Sequence, residues 1–189
     1  MNGEKAFLDR YRRGDVAALE VLVERYRRPL FGFILRMIDA REEAEDVYQE
    51  VWIRAIRHLD RFDSRKLLSW LFRIAHNVLI DRSRRRRPDV SLQDETGDRR
   101  SREEAVATPH ATPLEAAAAV DIQERIQAAV QRLPADQRSV FSMRMDAELS
   151  FKEIARIQDI PLNTALARMR YAVEKLRHEL QDEYRALGK

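Results

Sequence analysis

Apolar residues recur at helical spacing along two stretches of the chain, and a polar stretch separates them. In the two outer stretches they follow the i, i+3, i+4 spacing that places side chains on one face of a helix. The polar stretch, PDVSLQDETGDRRSREEAVATPHATP, contains three prolines and has no apolar periodicity. The pattern predicts an all-α protein of two small helical domains, 1–87 and 116–189, joined by a flexible linker, 88–115.

The first stretch predicts four helices around one core. Two amphipathic runs begin it, at residues 18–26 and 30–38, and longer runs follow at 42–59 and 66–84. Helices of this length can bury a common core when their apolar stripes face inward. We therefore expect a small four-helix domain.

The second stretch predicts a helix-turn-helix. Ser150 and Glu153 have the spacing of a capping box, in which the Ser caps the helix and the Glu returns to the Ser amide. Helices are expected over 135–145, 151–158 and 163–187, with a break at 159–161. A short helix, a tight break and a longer second helix form the outline of a DNA-binding helix-turn-helix, although many helical hairpins share it.

Charge clustering adds a candidate function. The net charge is only +3, yet the basic residues are mostly arginines, and the densest cluster, at 82–87, closes the fourth predicted helix. A guanidinium presents a planar fork of donors that suits phosphates and base edges. The cluster indicates a nucleic-acid contact, with a solvated helix end as the alternative.

Other chemistry is sparse. The chain has no cysteine, so it can form neither a disulfide nor a thiolate metal site. No apolar run has the length of a membrane span or of a signal-peptide core. We expect a soluble, cytoplasmic protein that needs no metal and no cofactor.

The third predicted helix has a face that core packing does not explain. Its polar half includes Asp46, Gln49 and Glu50, and Ile53 lies in the middle of that half. An isoleucine with a polar rim resembles a small protein interface, whereas a lone exposed isoleucine is ordinary. Both interpretations remain open on the pattern alone.

The fourth predicted helix carries a second such face. Arg73, Asn77 and Arg84 share a stripe beside the apolar one. An asparagine amide has a donor and an acceptor and can read a base edge, and flanking arginines can hold phosphates. The alternative is a surface amide without a partner. Trp70, at the edge of the apolar stripe, is interpreted as core in preference to a stacking platform.

Three motifs resemble those of one known family. DVYQEVW (46–52) resembles the D-x-x-Q-E-x-F/W signature of sigma region two, and SWLFRIAHN (69–77) resembles the W-L-x-x-I-A-x-N segment that follows it. LSFKEIA (149–155) is similar to the L-S-Y-E-E-I-A opening of sigma region four. With no region three between them, the layout resembles the extracytoplasmic-function group of the sigma-70 family, which recruits RNA polymerase core to promoters.

The resemblance implies roles for residues of the first domain. In the family the region-two helix binds the β′ clamp of the polymerase, which assigns that contact to Asp46, Gln49, Glu50 and Ile53. The asparagine of the second motif contacts a base flipped from the −10 element, and the preceding loop and the arginines support it. The implied −10 contacts are Phe62, Arg65, Lys66, Arg73, Asn77, Arg84, Arg85 and Arg86.

The second domain departs from its family at the start of the recognition helix. The usual P-x-G-T-V-K/R-S-R is PLNTALAR here, so that Leu166 and Ala167 replace two polar residues. We expect Leu166 to be partly buried, Ala167 to face outward, and the −35 requirement to be weak. The implied −35 contacts are Asn163, Thr164, Ala167, Arg168, Arg170 and Tyr171. The implied partners are RNA polymerase core, through its β′ clamp and β flap, promoter DNA, and an anti-sigma factor.

Three other functions compete with this one. An enzyme is disfavoured because the four histidines are scattered and no glycine-rich phosphate loop or nucleophile motif is present. A helix-turn-helix regulator acting without polymerase explains the second domain but leaves the first without a role. A protein-binding adaptor leaves the arginine cluster unexplained. Binding of the purified chain alone to duplex promoter DNA distinguishes a regulator from a sigma factor.

Overall fold

The computed structural model describes residues 2–60, 62, 66–85, 122 and 124–187. Across these ranges every regular element is an α-helix, which confirms the all-α prediction. The predicted linker, 88–115, lies outside the described residues, as do the candidate contacts Arg65 and Arg86. No helix in the described ranges is long and apolar enough to cross a membrane.

Four helices form the first unit. They are α1 (Asn2–Arg12), α2 (Val16–Met37), α3 (Arg41–Leu59) and α4 (Leu67–Arg85). The runs expected at 18–26 and 30–38 form the single helix α2, with Pro29 inside it, and α1 was not expected. One side of α2 stays buried across the proline, from Leu22 and Tyr26 to Leu30 and Phe33. This burial offsets the roughly 3 kcal/mol that an internal proline costs a helix.

The second unit is the expected helix-turn-helix. Its helices are α5 (124–131), α6 (Ala135–Met145), α7 (Phe151–Gln158) and α8 (Leu162–Leu187). The capping box is present, because the Ser150 hydroxyl accepts from the Glu153 amide while the Glu153 carboxylate accepts from the Ser150 amide. Asp159 ends α7 in the left-handed conformation at φ 53°, which an aspartate tolerates better than most residues.

The two units pack against each other. Helix α6 lies on α2 and helix α7 lies on α4. Buried side chains of the second unit, among them Val140, Met143, Leu149 and Ile154, belong to the same apolar cluster as the core of the first. A second, smaller cluster joins α5, α6 and α8, with Val130, Leu133 and Leu176 among its residues. The candidate site residues therefore stand on two helical units in direct contact.

Candidate polymerase and nucleic-acid interfaces

The outer face of α3 presents the polar rim and apolar centre expected from the sequence. Asp46 and Gln49 are exposed, and Ile53 has 52% of its surface accessible. The opposite side of α3 is packed, with Val47, Val51 and Ala55 fully buried. Because the core uses only that opposite side, Ile53 is available to a partner.

Glu50 lies differently from its three predicted companions. Its carboxylate accepts a hydrogen bond from Arg54 at 2.6 Å and one from Arg82 of α4 at 2.9 Å. Partial burial tends to raise the pKa of Glu50, but the hydrogen bond from Arg82 and the charge of Arg54 outweigh it and lower that pKa. Glu50 therefore ties α3 to the arginine-rich end of α4.

A cleft between α3 and α4 brings Asn77 together with Trp70 and with residues of α3 that were not among the predicted −10 contacts. Its volume is about 270 Å³. The lining residues are Arg54, Arg57, His58, Trp70, Ile74 and Asn77. Arg54, Arg57 and His58 occupy positions i, i+3 and i+4, the spacing of one helix face, which was the available signal for this wall. Two arginines, an aromatic ring and an amide around one cleft can hold a base and its phosphate.

The other predicted −10 residues divide between the surface and the interior. Arg73, Asn77, Arg84 and Arg85 are exposed on α4. Phe62, by contrast, is only 9% exposed, and its ring lies 4.6 Å from that of Trp70, centroid to centroid.

Trp70 has features of both roles considered for it, a core residue and a stacking platform. The indole is partly buried against Phe62 and also lines the cleft. The Arg12 guanidinium donates to the Phe62 carbonyl and fixes the chain before α4. Phe62 thus lies behind Trp70, and its contact with the −10 element stays a prediction.

The start of α8 offers fewer free polar groups than the sequence suggests. Asn163, Arg170 and Tyr171 are exposed, and the Arg170 guanidinium lies 4.9 Å from the Tyr171 ring centroid. Thr164 and Ala167 are partly buried. Arg168 donates to Gln158 at 2.9 Å and pairs with Asp136 at 2.5 Å, with 25% of its side chain accessible.

Two expectations for α8 need correction. Leu166 was expected to be partly buried, yet 42% of it is exposed, and Ala167 was expected to face outward, yet it is partly buried. The apolar stripe of α8 centres on Ala165, Ala172 and Leu176. Leu166 therefore stands at the surface of the helix start.

In the described ranges, no group of three or more histidine, aspartate or glutamate side chains has an arrangement that could hold a metal ion. His76 is partly buried near Asp136 and Arg168, at the contact between the units, and burial lowers its pKa.

Comparison with known proteins gives the same two-part division. The Sigma-70 region 2 model matches residues 22–88, and the model described as Sigma-70, region 4 matches residues 123–176. The chain is 33% identical to the ECF RNA polymerase sigma factor SigW of Bacillus subtilis, over 94% of this chain and 97% of that one. It is 32% identical to the RNA polymerase sigma-H factor of Pseudomonas aeruginosa, over 94% of each chain.

Solved structures share the fold. The sigma factor RpoE in complex with the anti-sigma factor NepR, from Bartonella quintana, matches with a TM-score of 0.64 at 20% identity, covering 86% of this chain and 96% of that one. CnrH in complex with the cytosolic domain of CnrY matches with a TM-score of 0.66 at 21% identity, covering 96% and 99%. Two family models in the expected order, with relatives above 30% identity along nearly the whole length, establish the assignment. The chain belongs to the extracytoplasmic-function (ECF) sigma factors of the sigma-70 family.

Proposed function

We propose that this ECF sigma factor, which acts in transcription initiation, binds RNA polymerase core through the outer face of α3. The observation that carries the proposal is the exposure of Ile53, 52%, beside the exposed Asp46 and Gln49. An apolar centre with a polar rim is the usual anatomy of a protein interface. The partner is the β′ clamp, as the family resemblance implies. Glu50 would act indirectly, by holding α3 against α4.

The second part of the proposal concerns the −10 element. The cleft between α3 and α4 would receive a base flipped out of the duplex, with the Asn77 amide reading its edge and Trp70 and Ile74 against its face. Arg54 and Arg57 on the opposite wall would hold the phosphates, together with the exposed Arg73, which precedes Asn77 by four residues on α4. Positive side chains on both sides of a single strand also help to keep the duplex open.

The start of α8 would bind the −35 element. Arg170, Tyr171 and Asn163 are the exposed polar side chains there, and Arg168 becomes available only when it leaves Asp136. This second unit would also contact the polymerase, through the β flap. With so few free donors we propose a −35 requirement weaker than is usual for the family.

Two further assignments belong to the proposal. An anti-sigma factor is a fitting partner because the structurally similar RpoE was solved with one. A cytoplasmic location follows from work on RNA polymerase, and no catalytic step is assigned to the chain. A helix-turn-helix regulator without polymerase is not favoured, because both sigma regions are matched.

The test measures binding to RNA polymerase core with a matched pair of variants. Ile53→Glu should weaken binding to polymerase core by about tenfold or more, since central interface residues commonly contribute over 1 kcal/mol. Val21→Glu is the control, because Val21 is also exposed, at 44%, but lies on α2. Both variants should melt near the wild-type temperature. Wild-type core affinity for Ile53→Glu would remove the α3 assignment.

A further inference from the structure

Helix α1 lies outside the residues that the Sigma-70 region 2 model matches, 22–88, yet it packs along α2. Leu8 is 5% exposed and belongs to the main apolar cluster, and Phe7 packs against that cluster. The Tyr26 hydroxyl of α2 donates to the Glu4 carboxylate. Apolar burial and a hydrogen bond therefore fix the position of α1 on the first unit.

The turn after α1 is held by side chains of its own. The Arg10 guanidinium donates to the Asp15 carboxylate at 2.8 Å. Gly14 closes the turn at φ 92°, a conformation that glycine adopts without steric cost. The last turn of α1 therefore has a defined direction, and this direction places the side chain of Arg12.

Arg12, the last residue of α1, reaches the chain segment that precedes α4. Its guanidinium donates to the backbone carbonyl of Phe62 and pairs with Asp9 of its own helix at 3.4 Å. Only 32% of the Arg12 side chain is accessible. Phe62 is 9% exposed, and a carbonyl at a buried site costs free energy when it has no partner. The bond from Arg12 therefore helps to hold Phe62 in place.

Phe62 connects this bond to the cleft between α3 and α4. Its ring lies 4.6 Å from the Trp70 ring, centroid to centroid, with an angle of 31° between the two planes. Trp70 lines the cleft together with Asn77. Close packing leaves Phe62 little room to move by itself, so a shift of Phe62 would also move the Trp70 wall of the cleft. Arg12 thus acts on the cleft indirectly, through Phe62 and Trp70.

A direct phosphate contact is the other role open to an arginine at this place. Both terminal nitrogens of Arg12 have partners, however, because Nη2 donates to Phe62 and Nη1 donates to Asp9. The Asp9 carboxylate also offsets the positive charge that would attract a phosphate. The contacts of Arg12 therefore favour positioning over phosphate binding.

We propose that Arg12 is a positioning residue for −10 recognition and that α1 belongs with the elements that form the −10 site. The guanidinium holds the Phe62 backbone, the Phe62 ring supports Trp70, and Trp70 forms a wall of the cleft that would receive the flipped base. The inference rests on the proposed function of that cleft. It assigns no contact with DNA to Arg12 itself.

The first experiment follows Trp70 in the free protein. The chain has two tryptophans, so Trp52→Phe leaves Trp70 as the single indole, and the family motif allows Phe at that position. In that background Arg12→Ala should increase the quenching of Trp70 fluorescence by acrylamide, because a displaced Phe62 uncovers the ring. Arg13→Ala is the control, since Arg13 is exposed and donates to the Asp9 carbonyl within α1. Equal quenching in the two variants would overturn the inference.

The second experiment measures open-complex formation by the holoenzyme. Arg12→Ala should lower it on the preferred −10 sequence by about three- to tenfold, the range that one hydrogen bond contributes. Arg13→Ala makes the same change of charge and should leave it unchanged. Arg12→Lys should recover most of the loss, because a single carbonyl needs only one donor. A loss in Arg13→Ala as large as in Arg12→Ala would point to overall charge and would reject positioning.

A double-mutant cycle with Asn77→Ala distinguishes positioning from a general loss of stability. If Arg12 acts through the cleft, Arg12→Ala should cost less in the Asn77→Ala protein than in the wild type, because both changes damage the same base contact. Equal losses in the two backgrounds would overturn the inference. Failure of the proposed cleft function would appear differently, as wild-type promoter opening by Asn77→Ala, while the quenching result would still report the contact from Arg12 to Trp70.

Discussion

Asn77 owes its position to the register of α4. The helix buries Leu71, Ala75 and Val78 against the core, and this leaves Asn77 at the rim of the cleft with its side chain exposed. No hydrogen bond from a neighbour would have to be broken before the amide met a ligand, since the described contacts include none for it. A short helical side chain in this position suits recognition of one base edge.

Replacement of Asn77 should therefore affect promoter opening in a base-dependent way. Asn77→Ala should lower open-complex formation on the preferred −10 sequence by about 1–3 kcal/mol, the range for a bidentate base contact. Polymerase core binding should persist, and Ser83→Ala, exposed elsewhere on α4, is the control. The measurement is open-complex formation on promoters that vary at each −10 position. An equal loss on every promoter would show that Asn77 reads no base.

Substitution of Leu166 tests the proposal that the −35 contact is weak. Because 42% of it is exposed at the start of α8, Leu166→Lys should place a cation near DNA phosphates. Holoenzyme affinity for the promoter should rise, and the slope of log affinity against log salt should steepen by about 0.9.

Val173→Lys is the matched control for that substitution. Val173 is also 42% exposed and shares the Leu166 face, two turns further along α8. It should change the slope less. If Leu166→Lys abolished binding instead, Leu166 would be making an apolar contact to a base.

Periodicity predicts well whether a side chain is exposed when that exposure depends on one helix alone. It places Ile53 and Asn77 on exposed faces because each phase is fixed by that helix's own buried stripe. It does not predict that Glu50 meets Arg82, that Phe62 meets Trp70 or that Arg168 meets Asp136, because these partners come from other elements. The partner of each side chain depends on the angle at which two helices cross. The pattern of a single helix does not contain that angle.

At the scale of elements, the helix limits follow from local signals. The boundaries of α6 and α7 match the sequence prediction at both ends, because Pro134 precedes one helix and a capping box begins the other. Helix α2 departs from the prediction, which placed two separate runs at 18–26 and 30–38 where the structure has one helix. Its apolar stripe keeps one phase through Pro29, and burial of that stripe decides the outcome.

The contribution of the α7 capping box to the free energy of unfolding should be measurable. Ser150→Ala removes the oxygen that accepts from the Glu153 amide, which should lower the free energy of unfolding by about 1 kcal/mol. Chemical denaturation measures it. Ser83→Ala on α4 again serves as the control, since an exposed serine inside a helix has no such bond to lose. A loss no larger than that of the control would mean that the cap contributes nothing.

At the scale of the whole molecule, the two-unit division could be predicted but the contact between the units could not. The polar stretch marks the division, and two family models match on either side of it. The contact depends on side chains such as Val140 and Ile154, which a helix pattern assigns to the core of their own unit. Periodicity does not predict whether the core of one unit is separate from the core of the other or continuous with it.

The closed contact should respond to pH through His76. Burial lowers the pKa of His76, while the Asp136 carboxylate of α6 raises it and the Arg168 charge of α8 lowers it further. An exposed imidazole has its ordinary pKa of 6.5, so a chain whose units have separated would take up the proton more readily. The contact between the units is therefore most stable above pH 6.5 and weakens as the pH falls below it.

A pair of fluorophores on Glu20→Cys of α2 and Arg177→Cys of α8, exposed positions in a chain without cysteine, measures the distance between the units directly. The long-distance fraction should grow between about pH 7.5 and about pH 5.5, where histidine is the side chain that titrates at its ordinary pKa. Glu153, with a pKa of about 2, stays charged throughout that range. His76→Gln should flatten the response, and an unchanged response in that variant would assign it to another group.

Glu153 has two attachments, and this has an evolutionary consequence. Its carboxylate begins α7 through Ser150 and also joins the units through Lys66 and Ser69. Most changes at Glu153 disturb both at once, and only glutamine could keep the cap, so selection on the contact between the units has little freedom there. Lineages would adjust that contact at positions 66 and 69 instead. Related chains should therefore drift together at those two positions while the glutamate stays.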